Sequence, residues 1–318
     1  MPSGSAPGSS PRRPLNDLTG KEWIRFTKSW FVANPPRRTP SERLHPAKFP
    51  EALCEGFIRF FTRSGGWVLD PFAGTGSTLV AALRNRRNAI GLEINPTFVR
   101  WAEERAREAA APGGTTARVI LTDAAKLDTV WARERLPSVQ LVLTSPPYWD
   151  MLGKSRGGSR SAQRTRAALG LATTYSSAPR DLGNFHDYTE FITATADVLR
   201  ATARVLDPGG YLVVVAQNLR DVDGQIRTLA WDLARAVDHP PFQFQGERIW
   251  CQDSKPLGIW GYPSIFVPNY HHHYCLIFRR VASAVRPVNA STRPRPPTTT
   301  RPTYGGQRRG VVGSTVPR

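Results

Sequence analysis

The sequence predicts an α/β fold: a doubly wound, mostly parallel sheet with helices on both faces. Three observations predict it. Short apolar runs alternate with segments of helical period from residue 67 to residue 143, the rhythm that parallel strands and crossover helices leave in a chain. The first strand runs through Val68-Leu69-Asp70 into a glycine turn, Gly74-Thr75-Gly76, and Ser77 then opens a helical segment. Four successive strands also finish on polar or aromatic residues, so the chemistry collects on one edge of one sheet.

In chain order, residues 1–16 read as a disordered N-terminus, rich in Ser, Gly and Pro as far as Pro14. Thr19 and Glu22 then have capping-box spacing, which predicts a helix as far as Phe31. Trp23, Phe26 and Trp30 would share one face of it, packed on the body. Asn34-Pro35-Pro36 ends that helix, residues 40–50 read as loop, and a helix follows over 50–62 with Leu53, Phe57, Phe60 and Phe61 inward. Strands are expected at 67–69, 89–93, 118–121 and 139–143. Helices are expected at 77–86, at 96–110 with Pro96 in the first turn, and briefly at 131–135. After Trp149 the periodicity fails, and 150–184 reads as a long loop rich in Gly, Ser and Thr. Helical period returns over 187–206. The Asp207-Pro208-Gly209-Gly210 turn leads into a strand at 211–216, a helix spans 225–237, and strands at 247–251 and 274–278 close the sheet as a hairpin. His271, His272 and His273 invite a metal reading, but adjacent strand residues point to opposite faces, and no metal is assigned.

The first strand, its glycine turn and the helix start form a cradle at the carboxyl edge of a parallel sheet. Glycine lets the backbone approach a ligand closely. Taken alone, Gly-x-Gly often only packs a helix onto a strand. Glu93 ends the second strand 23 residues after Asp70, where a carboxylate can accept ribose hydroxyls. Asp123 follows the third strand, and the fourth runs into Thr144-Ser145-Pro146-Pro147-Tyr148-Trp149.

The chain has 318 residues, 40% of them hydrophobic, enough for one large core with unstructured ends. Its three cysteines show neither disulfide nor metal spacing. It has no signal core and no apolar run of membrane-spanning length, so a soluble protein of the cytoplasm is expected. Net charge is +18. Residues 279–318 contribute nine arginines and no acid, and residues 151–184 contribute Lys154, Arg156, Arg160, Arg164, Arg166 and Arg180 against Asp181. Charge so concentrated suits a polyanionic partner, since phosphate contacts supply most non-specific affinity for nucleic acid. The other reading is a solubilising tail.

Asp70-Pro71-Phe72-Ala73-Gly74-Thr75-Gly76 together with Thr144-Ser145-Pro146-Pro147-Tyr148 resembles the amino-methyltransferases of DNA, over about residues 17–280. His45-Pro46-Ala47-Lys48-Phe49-Pro50 resembles the segment before that family's cofactor loop. The resemblance implies a Rossmann-like, seven-stranded methyltransferase fold over 17–280, with 151–184 as a basic insertion and 281–318 as a disordered basic tail. It implies S-adenosylmethionine as cofactor, held by His45, Lys48, Asp70, Pro71, Phe72, Gly74, Gly76, Ser77, Thr78, Glu93, Asp123 and Thr144. The catalytic residues it implies are Ser145, Pro146, Pro147 and Tyr148. Trp149, Lys154, Arg156, Arg160, Arg164 and Arg166 would contact DNA, with Trp149 either extending the Tyr148 platform or packing behind it. The Ser-Pro-Pro-Tyr form resembles the cytosine-N4 branch; the adenine branch more often has Asp or Asn in the serine position.

One departure bears on target recognition. In the common arrangement of this branch the catalytic strand precedes the cofactor loop, and here the order is reversed, with no long recognition domain evident. DNA contact therefore falls to the basic insertion, to the tail or to a partner. Double-stranded DNA is the expected partner, and a cognate restriction endonuclease of a restriction–modification system is a candidate one. Adenine-N6 methylation, an RNA substrate and a catalytically silent nucleic-acid-binding protein stay open as alternatives. Every enzymatic reading requires the glycine turn and the Ser145–Tyr148 corner to face one pocket.

Overall fold

The computed structural model describes residues 14–34, 50–111, 114–149, 181–221 and 223–281. In chain order the elements are α1 (Gly20–Phe26), β1 (Trp30–Val32), α2 (Glu51–Phe61), β2 (Trp67–Asp70), α3 (Ser77–Arg84), β3 (Asn88–Glu93), α4 (Pro96–Ala109) and β4 (Ala117–Leu121). There follow α5 (Leu127–Glu134), β5 (Val139–Thr144), α6 (Tyr188–Ala201), β6 (Leu206–Ala216), β7 (Leu219–Arg220), β8 (Ile226–Arg227), α7 (Leu229–Val237), β9 (Phe242–Cys251) and β10 (His272–Arg280).

The main sheet has eight strands in the order β1-β9-β10-β6-β5-β2-β3-β4. β10 runs antiparallel to both neighbours, and the other pairings are parallel. From β2 the chain moves outward to β3 and β4. It then returns to lay β5 on the other side of β2 and continues to β6. The carboxyl ends of β2 and β5 thus flank a topological switch point, where connections leave in opposite directions and open a crevice.

Burial on both faces explains the apolar runs of the central strands. Leu69, Val142, Leu212 and Val214 pack against Leu127, Phe191, Leu199 and Leu233 of α5, α6 and α7. Their strand neighbours Val68, Leu141, Leu143, Val213 and Val215 pack on the opposite face against Leu53, Phe57, Phe61, Leu79 and Ala82 of α2 and α3. Successive residues alternate between two cores, as a period of two demands.

The fold class is as predicted, with corrections to its parts. Among the described residues the main sheet has eight strands where seven were expected. The N-terminal helix stops at Phe26, and Trp30–Val32 instead pairs with Ile249, Trp250 and Cys251 of β9. The capping box is present at Thr19 and Glu22. Trp23 and Phe26 do pack on Phe60 of α2, with centroids 4.6 and 4.0 Å apart, whereas Trp30 is 47% exposed beneath the Lys28 ammonium. Local periodicity could not reveal an edge pairing with a strand more than 200 residues away.

The Asp207–Gly210 turn lies inside β6, where the β5 register shifts between Val139 and Leu141, so the signal marked a bulge rather than a boundary. α5 begins at Leu127 rather than near 131. α7 begins at Leu229, because the small β7–β8 hairpin occupies the chain before it. β9 and β10 are longer than predicted, pairing from Phe242 to Cys251. Among the described residues no helix is long and apolar enough to cross a membrane, and no cluster of His, Cys, Asp and Glu could hold a metal.

Candidate active site

The crevice is organised by one buried carboxylate. Asp70 ends β2 at 1% exposure. Its Oδ1 accepts from the Phe72 N–H at 3.0 Å and the Thr144 hydroxyl at 2.7 Å, and its Oδ2 accepts from the Thr78 hydroxyl at 2.6 Å. A single side chain therefore ties the turn, the first turn of α3 and the end of β5 together across the switch point. Burial raises its pKa to about 6, against the pull of those three hydrogen bonds.

The turn needs its glycines for two different reasons. Gly74 has φ +52°, and its N–H donates to Glu93 Oε2 at 2.8 Å. Gly76 has φ +81°, and a Cβ there would lie 3.0 Å from Ala102 Cβ, so its bareness lets α3 approach α4. Glu93 Oε1 accepts from the Asn95 N–H at 2.8 Å. Burial, with smaller contributions from the charges of Asp181 and Asp70, pushes the Glu93 carboxyl up to about 7. Asp123 caps the 3₁₀ turn Ala124–Lys126 by accepting from the Ala125 N–H at 2.9 Å.

β5 delivers the second half of the crevice. Ser145 Oγ donates to the Val215 carbonyl at 3.0 Å and lies 3.3 Å from the Tyr148 hydroxyl, which itself donates to Val215 at 3.4 Å. Both hydroxyl protons thus converge on one backbone acceptor of β6, leaving the Ser145 lone pairs for another donor. Burial raises the Tyr148 pKa far above its ordinary value, so the phenol stays neutral. Trp149 turns away from this corner. It has φ +48° and 4% exposure, and it meets Tyr188 edge-on at 5.2 Å within the core. It packs behind the corner, the second of its two expected places, and offers no platform for DNA.

Turn and corner face each other across one cavity of about 590 Å³. Pro71, Phe72, Gly74, Ser77, Glu93 and Asp123 of the expected cofactor set line it, and so do Ser145, Pro146, Pro147 and Tyr148. Asp70, Gly76, Thr78 and Thr144 stand behind the wall and hold it in shape. His45, Lys48, Lys154, Arg156, Arg160, Arg164 and Arg166 lie outside the described residues.

Sequence reasoning missed several lining residues, among them Asp181, Gln217, Trp250, Lys255 and His273. Gln217 follows β6 directly, and the strand-end rule applied to a fifth strand would have found it. Trp250 and His273 are ladder partners on β9 and β10. No local signal joins them, because their pairing depends on the closing hairpin. Asp181 begins a short 3₁₀ turn by accepting from the Gly183 N–H at 2.9 Å, and nothing in its neighbourhood marks it for the cavity.

A family model described as DNA methylase matches residues 10–104, which include the Asp70–Gly76 turn and end before Ser145. Over those residues the chain is similar to the DNA methylases that this model describes. Among its relatives, the Type II methyltransferase M.MjaI of Methanocaldococcus jannaschii is 38% identical over 96 residues, 30% of this chain and 32% of that protein. The Type II methyltransferase M.BglI of Bacillus subtilis is 38% identical over 94 residues, 28% of this chain and 25% of that one. The orphan methyltransferase M.BamHII of Bacillus amyloliquefaciens is 34% identical over 101 residues, 31% of this chain and 38% of that one. The matched stretch thus spans about a third of the length of these relatives. Among solved structures, TrmN from Thermus thermophilus aligns over 74% of this chain and 50% of its own, at 16% identity and a TM-score of 0.46. S-adenosylmethionine is the cofactor of the family.

Proposed function

We propose that the protein transfers a methyl group from S-adenosylmethionine to the exocyclic N4 amine of cytosine in DNA. The observation that carries this reading is the shared cavity: the glycine turn and the Ser145–Tyr148 corner line one space at the switch point. Its volume suits a small-molecule ligand. The residues fit the cofactor. Phe72, Gly74 and Ser77 would hold its amino-acid end, Glu93 would accept from the ribose hydroxyls, and Asp123 would accept from the adenine amino group. When bound, the cofactor supplies a methyl group activated by its sulfonium charge.

The chain's own residues then have to hold a poor nucleophile. An aromatic amine delocalises its lone pair into the ring. Two acceptors on its protons hold the group in place and help localise that pair. Ser145 Oγ suits one role, because its own proton is directed to Val215. The Pro146 carbonyl suits the other, and proline brings no competing N–H. Tyr148 stacks on the base, which must leave the duplex to be reached; such stacking is worth about 1–3 kcal/mol. The chain contains no Pro-Cys pair, which argues against carbon methylation. DNA contact is assigned to the basic segment with Lys154, Arg156, Arg160, Arg164 and Arg166.

The Ser-Pro-Pro-Tyr form favours cytosine. Incubation with labelled S-adenosylmethionine and duplex DNA, followed by nucleoside analysis, tests the reading, and N4-methylcytosine is the expected product. N6-methyladenine would overturn the choice of base alone, and 5-methylcytosine the whole mechanism. Faster methylation of competing RNA would move the substrate. Failure to bind the cofactor in calorimetry would leave a silent nucleic-acid-binding protein.

A further inference from the structure

Strand order divides the cavity in two. β2, β3 and β4 bring Gly74, Glu93 and Asp123 to one side of the switch point, and β5, β6, β10 and β9 bring Ser145, Gln217, His273 and Trp250 to the other. The proposed function gives the first half to the cofactor, which leaves the second for the acceptor base. His273 sits in that second half. Its ring stacks on Trp250 with centroids 4.5 Å apart and planes 27° apart, and it lies 6.3 Å from the Tyr148 ring.

The imidazole Nδ1 is closed off from solvent and has no hydrogen-bond partner among the described residues, an arrangement that buried polar atoms rarely keep. Burial, helped by the charge of Lys255 and by His272, holds the ring's pKa down to about 3. Near neutral pH the ring therefore carries one N–H and one lone pair. The Gln217 amide beside it is fixed by donating to the His272 carbonyl at 2.6 Å. Rotation about Cβ–Cγ exchanges the Nδ1 and Cδ2 edges of the ring without leaving the Trp250 stack, and that torsion is a soft one.

We propose that His273 reads the acceptor base, donating an imidazole N–H to the ring nitrogen next to the amine that Ser145 holds. The assignment rests on the methyltransferase reading and makes His273 a specificity residue of that site. In cytosine the ring nitrogen beside the amine is an acceptor, and a neutral donor held flat against Trp250 suits it.

The test is a functional-group cycle on the full chain with S-adenosylmethionine and a duplex carrying a site mapped from methylated plasmid DNA. His273→Phe keeps the aromatic stack and removes the N–H, and His273→Asn restores a donor. His273→Phe is expected to lower the single-turnover rate constant over KM about tenfold, the worth of one neutral hydrogen bond. Cofactor affinity by calorimetry should stay unchanged, and His273→Asn should recover part of the loss. A duplex whose target is 3-deazacytosine, with C–H in place of the ring nitrogen, should cost the wild type about tenfold and His273→Phe nothing further. Two losses that multiply, or a variant that loses cofactor affinity instead, overturn the assignment. A wild-type chain that methylates no DNA overturns the function itself, an outcome visible before any variant is made.

Discussion

At the scale of single residues, the site is built on carboxylates that burial has made reluctant to ionise. Glu93 titrates near 7 and Asp70 near 6, both pushed up chiefly by loss of solvent. A raised carboxyl pKa means that the folded state holds its proton more tightly than the unfolded chain. The stability this confers is fully present below about pH 4 and is lost as pH rises through the folded values. Glu93→Gln should therefore match the wild type in thermal unfolding near pH 4.5 and melt higher at pH 8. Equal melting temperatures across that range would mean that Glu93 is not desolvated as described. Ser145 offers a sharper kinetic test. Ser145→Ala removes one acceptor from an amine that gains positive charge, and hydrogen bonds to charged groups are worth about 1.5–3 kcal/mol. A fall of about 10- to 100-fold in single-turnover rate is expected, with cofactor affinity unchanged. An equal loss of cofactor affinity would place Ser145 on the wrong side of the cavity.

At the scale of elements, the cradle depends on how closely helices approach the turn. Glu51 of α2 pairs with Arg84 of α3 and with Arg105 of α4, and Arg105 also holds the Thr75 carbonyl. Gly76 lies between those helices with a left-handed backbone and Ala102 against it. Gly76→Ala combines a strained φ with a neighbour that must give way, and should cost about 1–3 kcal/mol of stability. Chemical denaturation would read that cost. A variant of unchanged stability that has lost only cofactor affinity would return Gly76 to the ligand-binding role its motif suggested.

At the scale of the whole molecule, the net charge of +18 is concentrated in two segments, which under the proposed function would govern encounter with DNA. Residues 284–318 carry seven arginines and no acid. If they neutralise phosphates, a chain ending at Ser283 should bind duplex DNA more weakly. Its plot of log affinity against log salt should be shallower by about 0.9 for each phosphate left unneutralised. Unchanged affinity and slope would make the tail dispensable for DNA binding. Methylation by the shortened chain at saturating DNA should persist, because the cavity is built within residues 71–273.

The sequence alone determined the α/β class, the cradle and the corner, since each rests on short-range signals: a strand's apolar run, a glycine turn, an acid at a strand end. Pro71, Phe72, Gly74, Glu93, Asp123 and Ser145 through Tyr148 were legible for that reason, and they do line one cavity. The tertiary structure alone decided which motif residues line the cavity and which stand behind its wall. It turned Asp70, Thr78 and Thr144 into a buried clamp and Trp149 into core. It also brought in Trp250 and His273 from the closing hairpin, and made an edge strand of residues read as helix. The physical reason is the same throughout. Local pattern records what a residue can do, whereas burial and pairing between distant strands decide where it points.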